Sequence, residues 1–148
     1  MLVLASDAER DWDLVVQNLQ KAARVDPGGG GPEAAWVALS LAHAYGAFET
    51  LLVRLERASG LPERTGATWH RRLLADAARA VPGLRPSLVP AEVEREWGEL
   101  LGFRHFLHHA YAADLEASKL RPLVESLSTA VAATEPLVRE ALRVLREP

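Results

Sequence analysis

Apolar residues recur every three or four positions along most of this chain, and clusters of proline and glycine interrupt the pattern. This spacing puts successive side chains on one face of an α-helix, as in the series Val37, Leu41, Tyr45 and Phe48. We find no stretch with the strict alternation of a half-buried β-strand. The sequence therefore predicts an all-α, single-domain protein over residues 1–148, folded as an up-and-down bundle of about five helices.

Local signals predict where these helices begin and end. Ser6 and Glu9 have the spacing of a capping box, so we expect the first helix over residues 7–25. The glycines of residues 28–31 have no following Lys-Ser or Lys-Thr pair, which favours a turn over a phosphate-binding loop. Pro32 suits the first turn of a second, long helix that ends near residues 59–60.

Three more helices are predicted in the second half of the chain. Thr68 should cap a short helix that runs to about Val81, and Pro90 should begin the next one. Pro122 should begin the last helix. Pro136 lies inside that last pattern, and proline removes a backbone donor and clashes with the preceding turn, so we expect a kink or break near residues 132–135.

Composition limits the functional classes. The chain of 148 residues has no cysteine, which excludes disulfides, thiolate metal sites and a cysteine nucleophile. The formal net charge is −3, so the whole chain offers no electrostatic reason to bind nucleic acid, although residues 54–85 form a locally basic zone. We found no signal peptide or membrane span, and we therefore expect a cytoplasmic protein that does not associate with membranes.

The densest chemistry lies between Arg104 and Tyr111, which read Arg-His-Phe-Leu-His-His-Ala-Tyr. On a helix, Arg104, His108 and Tyr111 share one stripe, while His105 and His109 share the next. Histidine transfers protons near neutrality and arginine binds phosphate oxygens, so this stretch can support metal-free RNA cleavage. A histidine metal site and purely structural ion pairs are alternatives that the residue types leave open.

Other side chains are candidates for lining a cleft together with the Arg104–Tyr111 stretch. On the second helix, Glu49 and His43 can point toward the helix that carries Arg104. Arg71 and Arg72, in the basic zone, are candidates for binding RNA, although a run of arginines is more often a solvated helix face.

Arg104, four intervening residues, His109 and Tyr111 together resemble the Arg-x4-His-x-Tyr motif of the HepT-like toxins of the HEPN superfamily. The Trp69–Leu74 stretch, the proline-rich segment before the motif and the long second helix are also similar to this family, so the resemblance covers most of the chain. One departure is His105, which stands where many members have asparagine or aspartate.

The resemblance implies a helical homodimer with a composite cleft and a metal-independent ribonuclease activity that needs no cofactor. Arg104 would bind the scissile phosphate, His109 would handle the proton of the 2′-hydroxyl, and His105 would support them. The implied partner is an MNT-type nucleotidyltransferase antitoxin, and Tyr111 matches the tyrosine that such partners AMPylate. Added AMP would bring bulk and negative charge to the place where the RNA phosphate must sit. The alternative is a non-catalytic HEPN module that binds a nucleotide or a partner protein.

Overall fold

A computed structural model describes residues 2–82, 85–109 and 115–147. Its α-helices are α1 (Leu2–Ala23), α2 (Gly31–Ala58), α3 (Trp69–Ala77), α4 (Glu94–His109) and α5 (Ala117–Arg146), with short 3₁₀ turns at Pro27–Gly29 and Ala91–Val93. Among the described residues there is no β-strand, and the one isolated bridge joins Val81 to Arg85. The predicted all-α class is confirmed.

α2 is the central helix and contacts each of the other four. Its buried side carries an aromatic cluster in which the Phe48 ring stacks on Trp97 of α4, with ring centroids 3.8 Å apart. Trp97 is fully buried, and its indole N–H donates to the Thr134 hydroxyl of α5 at 3.0 Å. Because this one side chain contacts both neighbours, α4 is held between α2 and α5.

By length and composition, α2 could also cross a membrane, since its mean hydropathy reaches 1.3. However, 61% of that apolar window is buried inside the bundle. Such burial is typical of the core helix of a globular protein, and α2 has that role in this bundle.

The loop between α1 and α2 is the predicted inter-helix turn. The Asp26 carboxylate accepts a hydrogen bond from the Gly28 amide at 2.9 Å and another from Arg121 of α5 at 2.8 Å. Gly30 and Gly31 then take positive φ angles of 66° and 57°, which side chains other than glycine rarely adopt. The turn thus reverses the chain and also ties α5 to the end of α1.

Several predicted helix ends were wrong. α1 begins at Leu2, before the capping box at Ser6, because Ala5 and Ala8 are already buried against the bundle. α3 ends at Ala77, earlier than Val81, and the Thr68 side chain makes no capping hydrogen bond. α5 begins at Ala117, because Leu120, upstream of Pro122, is buried.

The predicted break at Pro136 was also wrong, because α5 runs without interruption from Ala117 to Arg146. Thr134 and Val138, on either side of this proline, are both buried against the bundle. Packing on both sides therefore keeps the helix continuous despite the missing backbone donor. A bend at this position stays a prediction.

Candidate functional site

Arg104 lies on the last turns of α4, where the helix extends past its buried residues Trp97 and Leu100. The guanidinium is anchored by one nitrogen, because Nη1 donates to Oε1 of Glu49 on α2 at 3.1 Å. The Arg104 side chain is 26% exposed, whereas that of Glu49 is 8% exposed. The cation therefore lies at the protein surface with its counter-charge beneath it.

The second oxygen of Glu49 binds a histidine from a third helix. Oε2 lies 2.7 Å from Nδ1 of His70, which is the second residue of α3. Because an ionised carboxylate only accepts hydrogen bonds, the contact assigns the proton to Nδ1. The His70 ring also stacks on Trp69, with centroids 3.7 Å apart. One carboxylate on α2 thus joins α3 and α4 through two side chains.

Tyr45 lies one turn before Glu49, beneath Arg104. Its ring is fully buried, and the guanidinium carbon of Arg104 lies 6.0 Å from the ring centroid. Within the part of the chain that the structure describes, the Tyr45 hydroxyl has no hydrogen-bond partner. Burial, reinforced by the negative charge of Glu49, raises the pKa of the Tyr45 phenol above its ordinary value. The phenol therefore stays protonated at alkaline pH values where an exposed tyrosine ionises.

His105 and His109 lie on a different side of α4 from Arg104. Both are exposed, and their rings pack with centroids 4.2 Å apart. Nδ1 of His109 lies 2.8 Å from the His105 carbonyl oxygen, so Nδ1 carries the proton and Nε2 is left to accept another. Within the described residues, Arg104 and His108 line one groove. His109 does not line that groove.

Two predicted candidates for RNA contacts have different surroundings. Arg71 is exposed and lines a cavity of about 370 Å³ between α3 and α4, together with His70 and His105. Arg72 instead donates to the Thr65 carbonyl oxygen at 2.7 Å, which ties it to the loop before α3. Glu49 lies at the centre of the site. Tyr111 falls outside the described residues.

Two members of this cluster, His70 and Tyr45, were not predicted from the sequence as site residues. A signal for them existed, because Glu49 directly follows Phe48 and lies within the apolar face of α2. A carboxylate in such a position needs cations or donors from neighbouring helices. Among the described residues, no group of three or more His, Asp or Glu side chains is arranged to hold a metal ion.

The family comparison covers most of this structure. A family model described as HepT-like protein matches residues 36–145, which span nearly all of α2 and the whole of α3 and α4. Glu49, His70, Arg104 and His109 all lie within the match. No curated protein and no solved structure matches the chain.

The Glu49→Ala substitution should lower the free energy of unfolding by about 1–3 kcal/mol, because it leaves the donors of Arg104 and His70 without their acceptor. Urea unfolding followed by circular dichroism measures this change. The control is Glu140→Ala, which removes an exposed ion pair with Arg143 and should hardly move the unfolding midpoint. Equal effects of the two substitutions would contradict the role of Glu49.

Tyr45 should resist ionisation as long as the protein is folded. In a Tyr111→Phe variant it is the only tyrosine, because the chain has two. At about one pH unit above the ordinary phenol value of about 10, the folded variant should show little tyrosinate absorbance, whereas the urea-unfolded variant should show roughly nine-tenths of the full tyrosinate absorbance. The unfolded chain loses this proton first, so stability should fall as the pH rises above about 10. Equal absorbance in both states would refute the burial argument.

Proposed function

The chain belongs to the HepT-like protein family, and we propose that it is a metal-independent endoribonuclease, the toxin of a type II toxin-antitoxin pair. HepT-like proteins are HEPN-superfamily proteins of the toxin type, and that superfamily generally has ribonuclease activity. RNA cleavage by this chain and the presence of an antitoxin are the parts that we propose.

The arrangement of Arg104 is the observation that carries the proposal. Its only hydrogen bond within residues 2–82, 85–109 and 115–147 uses Nη1, on the side of Glu49. The remaining N–H groups of the guanidinium belong to a side chain that lines an open groove. An arginine fork that is held from one side and free on the other can bind two oxygens of a phosphate.

In the proposed reaction, Arg104 binds the scissile phosphate and Nε2 of His109 accepts the proton of the 2′-hydroxyl. The 2′ oxygen attacks phosphorus, the bond from phosphorus to the 5′ oxygen breaks, and the 5′ oxygen takes a proton from solvent. The products are a 2′,3′-cyclic phosphate and a 5′-hydroxyl. His105 supports His109, because its carbonyl oxygen holds the protonated Nδ1 and its ring packs beside it.

A second copy of the chain completes the site in this proposal. Arg104 and His109 of one chain lie on different sides of α4, so one helix does not aim both at one phosphate. α4 fully buries only Trp97 and Leu100 of its 16 residues. Gly98 and Gly102 of α4 are exposed and line the open cavity beside α3, and a Cβ atom added at either would meet nothing within 4 Å. Small residues of this kind let another helix approach closely, so we propose that two α4 helices pair here.

The proposed regulator is an MNT-type nucleotidyltransferase antitoxin that AMPylates Tyr111. This residue lies two positions after His109, as in the family motif. An AMP group attached there, seven residues after Arg104 in the sequence, would add bulk and negative charge and would compete with RNA.

If the proposal holds, the purified protein should cleave single-stranded RNA in the presence of EDTA and leave 2′,3′-cyclic phosphate ends. The Arg104→Ala and His109→Ala variants should lose at least about 100-fold in rate, as expected when a phosphate ligand or a proton acceptor is removed. Cleavage rates and end-group analysis measure both effects. RNA binding without turnover by the wild-type protein would favour the non-catalytic module instead.

The Arg104→Lys variant controls for folding, because lysine keeps a positive charge for Glu49 but lacks the two-pronged geometry. We expect this variant to keep the helical circular dichroism spectrum and to cleave poorly. Full activity of Arg104→Lys together with full activity of His109→Ala would refute the assignment of the site.

AMPylation is tested by co-expression of the chain with an MNT-type nucleotidyltransferase, followed by mass spectrometry of the intact chain. The wild-type protein should gain the mass of one or more AMP groups on Tyr111 and lose RNA cleavage, because the added phosphates repel the substrate. The Tyr111→Phe variant should remain unmodified. A mass gain that persists in Tyr111→Phe would show that the modified residue is a different one.

A further inference from the structure

An open groove of about 800 Å³ runs between α1, α2 and α4 and begins at Arg104. Besides Arg104, its polar lining includes His108 of α4, His43 of α2 and Lys21 of α1. Among the described residues that line it, none is acidic. The groove therefore presents positive charge and N–H donors from three helices, although the chain as a whole carries a net charge of −3.

The floor of the groove is apolar. Leu39 and Leu107 line it, and Leu39 is 50% exposed. Trp36 precedes Leu39 by three residues on the same face of α2 and is 48% exposed, with its indole N–H 3.4 Å from the Lys21 carbonyl oxygen. Trp36 does not itself line the groove; it is an exposed aromatic ring one turn beyond Leu39, on the side away from Arg104.

We propose that this groove binds the single-stranded RNA that extends beyond the scissile phosphate, an inference that rests on the proposed function. Lys21 and His43 bind backbone phosphates, and Leu39 and Trp36 contact the bases. A basic groove with exposed aromatic or apolar platforms is the common arrangement for single strands. From Thr50, beside Arg104, to Trp36 the rise along α2 is about 21 Å, which exceeds the reach of a single phosphate group.

The charge of the groove favours RNA over a second copy of the chain as its occupant. A twofold dimer brings the same patch of each chain together, so pairing through this groove would place Lys21 and Arg104 opposite a second set of the same cations. Such contacts between like charges are unfavourable. A polyanion has the complementary charge, and its unstacked bases fit the apolar floor.

The test measures binding without turnover. A fluorescent RNA hexanucleotide that is 2′-O-methylated throughout cannot be cleaved, because it lacks the attacking hydroxyl, and its anisotropy reports binding. Lys21→Gln should weaken binding about 3–10-fold. It should also make the slope of log K against log salt concentration shallower by about 0.7, which is the contribution of one phosphate contact with a single strand. Trp36→Ala should weaken it about 5–100-fold, as for the loss of one stacked base.

Arg95→Gln is the matched control, since it removes one positive charge from the exposed side of α4, away from the groove. It should bind the hexanucleotide within twofold of the wild-type protein. A methylated dinucleotide should bind equally to all variants, because it occupies only the neighbourhood of Arg104. In the RNA cleavage assay, Lys21→Gln should raise KM for long substrates and leave kcat almost unchanged.

Two results would overturn the groove assignment. One is unchanged affinity for the hexanucleotide in both Lys21→Gln and Trp36→Ala, while the wild-type protein still cleaves RNA. This result refutes RNA binding in the groove and leaves the proposed function intact. The other is a shift from dimer to monomer in Leu39→Glu by sedimentation, with RNA affinity unaffected, which assigns the groove to a second copy. A third result separates the two proposals. If Lys21→Gln and Trp36→Ala bind the hexanucleotide as weakly as expected, but the wild-type protein does not cleave RNA, the groove assignment is supported and the ribonuclease activity is refuted.

Discussion

The Glu49 carboxylate lies inside the helical bundle, and a buried charge is tolerated there only if cations or hydrogen-bond donors meet it. Arg104 meets one of its oxygens and His70 meets the other. Because these partners come from α4 and α3, the need to neutralise one side chain of α2 fixes where two other helices present their polar residues. The Arg104 side chain that makes this contact also lines the groove, which is the basis of the proposed phosphate site.

Packing and chemistry occupy different ends of α4. Near its beginning, Trp97 is stacked on Phe48 and hydrogen-bonded to Thr134, so this part of the helix is held on two sides. Near its end, His105 and His109 are exposed. A helix that is fixed at one end and solvent-exposed at the other can hold ionisable side chains in a constant orientation without burying them. This division explains how a small bundle provides an accessible site on a rigid element.

Helix content was predictable because the apolar spacing is a local property of the sequence. The match to the family model is separate support for the family resemblance of this chain. Helix ends were less predictable. The capping box at Ser6 and the proline at position 122 are typical helix starts, yet buried alanine and leucine residues upstream extend both helices. Likewise Pro136 did not end α5, since tertiary contacts on both sides compensate for the lost hydrogen bond. Local signals compete with burial at these positions, and burial prevails.

By itself, the sequence determined the all-α class, the position of α4 and the order of Arg104, His105 and His109 along it, because residue type and helical period need no partner. The tertiary structure decided which of these side chains meet. It placed Arg104 on Glu49 and brought in His70 from a distant helix, whereas the separation of Arg104 and His108 from His109 already followed from the helical period. Such contacts depend on how helices far apart in sequence are oriented around a shared core, and the spacing within one helix holds no information about that orientation.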